Sequence, residues 1–218
     1  RAPRWLEALG YGAPPEERVE IDLAYTSALF EPPPAFSADW KILILYSRAP
    51  DAWRAGFVNC VEGGRWIVSL SGYFGDHAPL DLPGFLEFAR SLPRPELHEA
   101  VRNATPLGPL TTHKVPNSRW FHYEKMDRLP DGYVVLGDSV CALNPIYGQG
   151  MTVSFLGAQA LGRCLDASGP GHSGLPLAFQ KKLVEVIAMP WLLSTTMDLA
   201  YPRRSEEHTS ELQSPLNI

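Results

Sequence analysis

The stretch from Gly137 to Met151, Gly-Asp-Ser-Val-Cys-Ala-Leu-Asn-Pro-Ile-Tyr-Gly-Gln-Gly-Met, constrains this chain more than any other. It follows Tyr133-Val-Val-Leu136, a short continuous apolar run of the kind that forms a strand buried on both faces. It leads into Met151 to Leu165, where Val153, Leu156, Ala160, Leu161 and Cys164 recur at helical intervals. The order is therefore strand, glycine-rich loop, helix. Open α/β sheets bind ligands beyond the carboxyl ends of their strands, so a carboxylate placed there, Asp138, can accept hydrogen bonds from sugar or polyol hydroxyls. Gly148 and Gly150 lack side chains, which lets the backbone come close to a flat ring, and unpaired N–H groups at the start of the following helix favour negative charge.

Upstream the pattern is different. Val19 to Leu29, Trp40 to Tyr46, Ala55 to Val61 and Arg65 to Gly72 are rich in Val, Ile, Thr and aromatic residues and are separated by Pro, Gly and Asp clusters, which reads as strands. Glu62-Gly63-Gly64 is expected to turn a hairpin. Phe85, Phe88 and Ala89 stand at helical spacing within Pro83 to Leu92, and a second helix is expected from Pro95 to Val101. A mostly antiparallel sheet with a helical insertion follows for residues 17 to 117. Near the other end, Gln180 to Leu193 reads as a helix interrupted at Pro190, with Trp191-Leu-Leu193 as an apolar anchor.

Composition removes several classes. The 218 residues, 45% hydrophobic and 20% charged, allow one large or two small cores and rule out disordered and collagen-like chains. The net charge of -5, from 19 basic and 24 acidic residues without a basic cluster, argues against nucleic acid as a partner. Cysteines at 60, 141 and 164 have neither disulfide-framework nor zinc-site spacing, so a reducing, cytoplasmic setting is expected. No apolar run approaches the roughly 18 residues of a membrane span. His77, His98, His113 and His122 show no metal-site spacing, so no metal is expected. Gly171-His-Ser-Gly174 fails as a nucleophile elbow, because Leu175 stands where the second glycine is needed. Cys141, inside the loop, reads as a packed small residue rather than a reactive thiol.

Gly-Asp followed by Asn-Pro-x-x-Gly-Gln-Gly-Met resembles the second flavin motif of the para-hydroxybenzoate hydroxylase group, the class A FAD-dependent monooxygenases. Arg128-Leu-Pro-Asp-Gly-Tyr-Val-Val-Leu136 and Pro190-Trp-Leu-Leu193 are similar to the same family, so the resemblance covers nearly all of residues 1 to 203. Ser139 departs from the Ala often found after Gly-Asp. The resemblance implies an α/β fold, part of an FAD/NAD(P)-binding doubly wound architecture with an antiparallel substrate-binding sheet. It also implies a role for each loop residue. Gly137 and Asp138 would meet the ribityl chain of FAD, Pro145 would lie beside the isoalloxazine, and Gly148, Gln149, Gly150 and Met151 would present backbone N–H groups to its pyrimidine edge. His122, Tyr123 and Tyr147 are candidates for lining a substrate or flavin pocket.

The activity so implied is an NADPH- or NADH-consuming monooxygenase that hydroxylates or epoxidises an apolar or aromatic small molecule, with FAD supplying the chemistry. Related flavoenzymes of the geranylgeranyl-reductase and halogenase types are the alternative, weakened because their Tyr-x-Trp-x-Phe-Pro and Trp-x-Trp-x-Ile-Pro motifs are absent. A third reading is an inactive fragment with an incomplete FAD site. No G-x-G-x-x-G follows a strand, which in this family holds the FAD pyrophosphate, and the N-terminal dinucleotide-binding βαβ is expected to lie upstream. The expected organisation is a substrate-binding sheet with helical insertion over 1–117, a flavin-binding strand-loop-helix over 118–165, C-terminal helices over 166–203 and a tail over 204–218. Within that tail, Arg204 to Ser214 resembles an in-frame translated sequencing-library adapter.

Overall fold

A computed structural model describes residues 1–34, 36–37, 39–168 and 171–201. The adapter-like tail, 204–218, lies outside the described residues. In chain order the elements are α1 (Ala2–Ala8), β1 (Glu16–Glu31), β2 (Ile42–Leu45), β3 (Arg54–Val61), β4 (Arg65–Gly72), α2 (Leu82–Arg90), α3 (Glu96–Val101), β5 (Thr105–Pro106), β6 (Thr111–Phe121), β7 (Cys141–Ala142), α4 (Gly150–Ala167) and α5 (Leu175–Leu199). Two compact units emerge among the described residues, 1–20 with 117–199 and 21–116 with 200–201. β1 and β6 each contribute to both. The expected mixed α/β class with an antiparallel sheet is what the structure shows.

The unit around residues 21–116 is built on a sheet in the order β2-β3-β4-β1-β6, with β5 also on β1. β3 and β4 form the expected hairpin, with Val58 opposite Val68, closed by a short 3-10 turn over Glu62–Gly64 in which Gly63 takes φ 75°. Along β4, Trp66, Val68 and Leu70 point into the core while Ile67 on the other face remains 37% exposed, and from Val68 onward the other face is covered too, with Ser69 and Ser71 buried. α2 covers that inner face with Phe85, Phe88 and Ala89, and α3 with Leu97, Ala100 and Val101. Asp81 starts α2 as its N-cap, accepting from Gly84 N at 2.8 Å. Gly72 ends β4 where a Cβ would lie 1.7 Å from the Asp76 carbonyl oxygen. Arg54 then fastens the following turn, donating to both carboxylate oxygens of Asp76 at 2.7 and 2.8 Å.

In the other unit β7 pairs with the end of β6, Trp120 opposite Cys141. α4 packs on α5 along a face that includes Val153, Gly157 and Ala160, and at Gly157 a Cβ would stand 3.1 Å from Leu183 Cδ1. α5 buries Phe179, Leu183, Ile187, Trp191, Thr195 and Asp198, a spacing of three to four residues that continues across Pro190. The helix therefore runs through the proline where an interruption was expected. The anchors on either side, Ile187 and Trp191, hold one face in register despite the missing N–H.

A second difference concerns Tyr133 to Leu136. Leu136 is extended (φ -148°, ψ 175°) and Val135 is buried, yet the segment joins no ladder among the described residues. A strand is defined by its neighbours, and here the Val135 carbonyl accepts instead from Gln180 Nε2 of α5 at 2.6 Å. Among the described residues no helix is long and apolar enough to cross a membrane.

Candidate functional site

The loop between Leu136 and α4 is a succession of tight turns, each with a local cause. Gly137 takes φ 62° and opens a 3-10 turn over Gly137–Ser139, closed by Val140 N donating to Gly137 O at 2.9 Å. Asp138 sits on this turn with its carboxylate exposed. Cys141 and Ala142 then pair with β6, and Leu143 and Asn144 enter the core. Asn144 caps the next turn, its Oδ1 accepting from Ile146 N at 3.1 Å, and Pro145 pre-sets that turn's first residue. Gly148 closes the turn in the left-handed region (φ 65°, ψ 18°), a conformation that favours glycine.

α4 starts at Gly150 with Gln149 as an N-cap that forms no side-chain cap bond, and its first turn carries no acidic residue. The Gln149 side-chain oxygen is buried without a hydrogen-bond partner among the described residues. A Cβ on Gly148 or on Gly150 would meet no atom of the described residues within 4 Å, so the side-chain direction of each is open. Met151 and Phe155 follow on α4 at 87% and 64% exposure.

Beneath the loop lies a residue with no counterpart in the sequence reading. Asp198 of α5, fully buried, accepts at Oδ1 from Asn144 Nδ2 at 2.8 Å and from the Tyr147 hydroxyl at 2.9 Å. Its only sequence signal is a charge on the helical face that also carries Trp191, Ser194 and Thr195.

His122 and Tyr123 are also buried, just after β6. His122 Nδ1 lies 2.6 Å from Glu124 Oε1, and Nε2 lies 2.9 Å from Glu17 Oε1, off the ideal hydrogen-bond direction. Burial opposes charging this imidazole, but bonding to Glu124 and Glu17 and their negative charge outweigh it, so its pKa is raised to about 8. The same Glu17 accepts from Trp191 Nε1 at 3.2 Å, and its own pKa is lowered, chiefly by His122. Trp120 lies against the His122 ring with centroids 4.5 Å apart. The Tyr123 hydroxyl points to the Ser139 carbonyl at 3.5 Å, and burial pushes its pKa up. Burial, with Asp138 and Glu17 nearby, likewise pushes the Cys141 thiol up to about 12, which keeps it protonated and unreactive near neutrality. Glu17 was not marked by the motif because it acts across a fold contact, Glu124 is a near neighbour of His122 that the motif does not include, and Trp191, expected only as an apolar anchor, also donates its indole N–H to Glu17.

The loop thus gathers Gly137, Asp138, Pro145, Gly148, Gln149, Gly150, Met151 and Tyr147, while His122 and Tyr123 lie in the core beside it. Among the described residues there is no cluster of three or more His, Cys, Asp or Glu able to hold a metal. The chemistry of the loop suits a flavin. It offers an exposed carboxylate for a polyol chain, open space on the side-chain side of two glycines for a flat ring, a helix N-terminus without a side-chain cap, and a buried amide oxygen without a partner among the described residues.

Known structures share this architecture. HpxO of Klebsiella pneumoniae, solved with FAD and uric acid, superposes with a TM-score of 0.59 at 14% identity over 89% of this chain and 48% of that one. The flavin-dependent brominase Bmp2 gives 0.53 at 15% identity, covering 90% and 50%. The chain shares its fold with about half of each of these two proteins. The tetrameric form of 2-methyl-3-hydroxypyridine-5-carboxylic acid oxygenase adds a TM-score of 0.53 at 14% identity over 87% of this chain and 49% of that one. In sequence, Protein Rv3254 of Mycobacterium tuberculosis is 29% identical over 208 residues, 95% of this chain and 44% of that protein. The chain therefore spans about half the length of the relatives it matches. No family model matches it.

Proposed function

We propose that this chain is part of an FAD-dependent monooxygenase that uses NADPH or NADH and oxygen to hydroxylate or epoxidise an apolar or aromatic small molecule. The observation that carries the reading is the 137–151 loop: an exposed Asp138 at the end of an extended segment, then an Asx-capped turn closed by left-handed Gly148 at the start of α4. FAD, when bound, supplies the redox and oxygen chemistry. The chain's own residues hold and orient it. Asp138 would accept from the polyol hydroxyls, Pro145 would flank the ring, and the N–H groups of Gln149, Gly150 and Met151 would face its electron-rich edge, that of Gly148 being given to the Pro145 carbonyl at 3.0 Å. The α4 N-terminus favours negative charge there, so no side-chain acid or base is assigned to the oxygen transfer.

The test is expression of a polypeptide of the relatives' full length, with a G-x-G-x-x-G after a strand upstream of this chain. Visible flavin absorbance that survives gel filtration, and NAD(P)H consumption matched by an oxygenated product, are expected. A colourless protein that takes up no added FAD overturns the reading. The shared fold with Bmp2 favours one second reading, a halogenase, which would show halide-dependent product formation instead.

A further inference from the structure

We propose that Asp198 is the positioning residue of the flavin loop, its buried carboxylate fixing the Asn144–Gly148 turn in the shape that presents Gly148 and Gly150. This rests on the flavin reading above. Asp198 and Asn144 are both fully buried, and a buried carboxylate is tolerated only where donors satisfy it. Two donors to its Oδ1, Asn144 Nδ2 and the Tyr147 hydroxyl, come from this one loop, more than 50 residues away in sequence.

The geometry makes the carboxylate specific to the loop's shape. A carboxylate only accepts, so Asn144 must turn its amide nitrogen toward α5, leaving its oxygen to cap Ile146 N. The same contact turns the Tyr147 phenol inward, committing its proton to Asp198. With the residues at both ends of the Asn144–Tyr147 turn bound to one oxygen, Gly148 is delivered to its left-handed conformation and α4 begins two residues later. An apolar residue at 198 would fill the space without selecting among loop conformations.

Two variants separate acceptor from volume. Asp198→Asn keeps an oxygen that can accept both bonds, whereas Asp198→Leu keeps similar bulk and no acceptor. In this chain, amide hydrogen exchange at Ile146, Tyr147 and Gly148 is expected to rise about tenfold or more in Asp198→Leu, and to stay within about threefold in Asp198→Asn, with α4 amides from Val153 onward unchanged. Should Asp198→Leu unfold, Tyr147→Phe, which removes one donor and keeps the ring, is expected to give a smaller rise at the same amides. In the full-length polypeptide, FAD titration is expected to show binding weakened about tenfold by Leu and within about threefold for Asn. Exchange rising equally through α4 and α5, Asn as damaging as Leu, or a loosened loop with unchanged FAD affinity would each overturn the positioning role. If the wild-type polypeptide binds no FAD, the flavin reading and this role toward it fall together. The exchange measurement uses no flavin, so it distinguishes that failure from failure of the Asp198 contact itself.

Discussion

Gly148 and Gly150 stand two residues apart and respond to a methyl group in opposite ways. Gly148 has φ 65°, so Gly148→Ala forces an L-residue into the left-handed region and is expected to cost about 1–2 kcal/mol in chemical denaturation. Gly150 opens α4 with no atom within 4 Å of a built Cβ, so Gly150→Ala is expected to leave stability unchanged or raise it by up to about 1 kcal/mol. If a flavin ring approaches this backbone, Gly150→Ala nonetheless weakens FAD binding in the full-length polypeptide. Unchanged affinity in that variant would remove Gly150 from the site. A third glycine sets the severe end of the scale. Gly72→Ala would place a Cβ 1.7 Å from the Asp76 carbonyl oxygen, a backbone clash that relaxes only by moving the turn. A loss of more than about 3 kcal/mol is expected, read as an early melt of the unit around residues 21–116.

At the scale of elements, the His122 cluster joins the start of β1, the end of β6 and α5 through Glu17, Glu124 and Trp191. A pKa raised from 6.5 to about 8 means that the folded chain holds a proton the unfolded chain has released. The resulting stabilisation, at most about 2 kcal/mol, is complete below about pH 6.5 and disappears as pH rises through about 8. Glu17, with a lowered pKa, acts in another window: its contribution is present above the ordinary carboxylate range and is lost as pH falls through its folded pKa. Urea unfolding at pH 6 and pH 9, followed by tryptophan fluorescence, should show the decline, and His122→Gln should flatten it. A wild-type midpoint equal at the two values would contradict the ion cluster.

The same scale shows what a sequence can and cannot express. β4 and α2 were legible because the core-facing apolar side chains recur with period two at Trp66, Val68 and Leu70 and with the helical period at Phe85, Phe88 and Ala89. The 137–151 loop was legible because glycine, proline and Asn-Pro fix turns locally. Tyr133 to Leu136 has the composition of a buried strand, but a ladder depends on a neighbour that composition does not name. Pro190 reads as a stop locally, and the packing of Ile187 and Trp191 overrides it. Asp198 escaped notice because its partners lie in another element, and an isolated acidic residue in a helix is ordinarily solvated.

For the molecule as a whole, the chain spans about half of its relatives and contains no G-x-G-x-x-G after a strand, so the flavin loop is proposed to be one wall of a larger site. The chain alone is expected to retain little FAD after gel filtration, and the full-length polypeptide to retain it. Tight retention by the chain alone would show that the remaining half is dispensable for binding. One further property follows from the way α5 grips the loop, at Val135 through Gln180 and at Asn144 through Asp198. A segment tethered at both ends to a single rod has a fixed span to bridge. Residues 136–143 can therefore change in identity more readily than they can be shortened, and a one-residue deletion there strains a tether, whereas an insertion must bulge outward. Gaps among homologues should fall outside this interval, and a deletion scan should find it the least tolerant stretch of the unit.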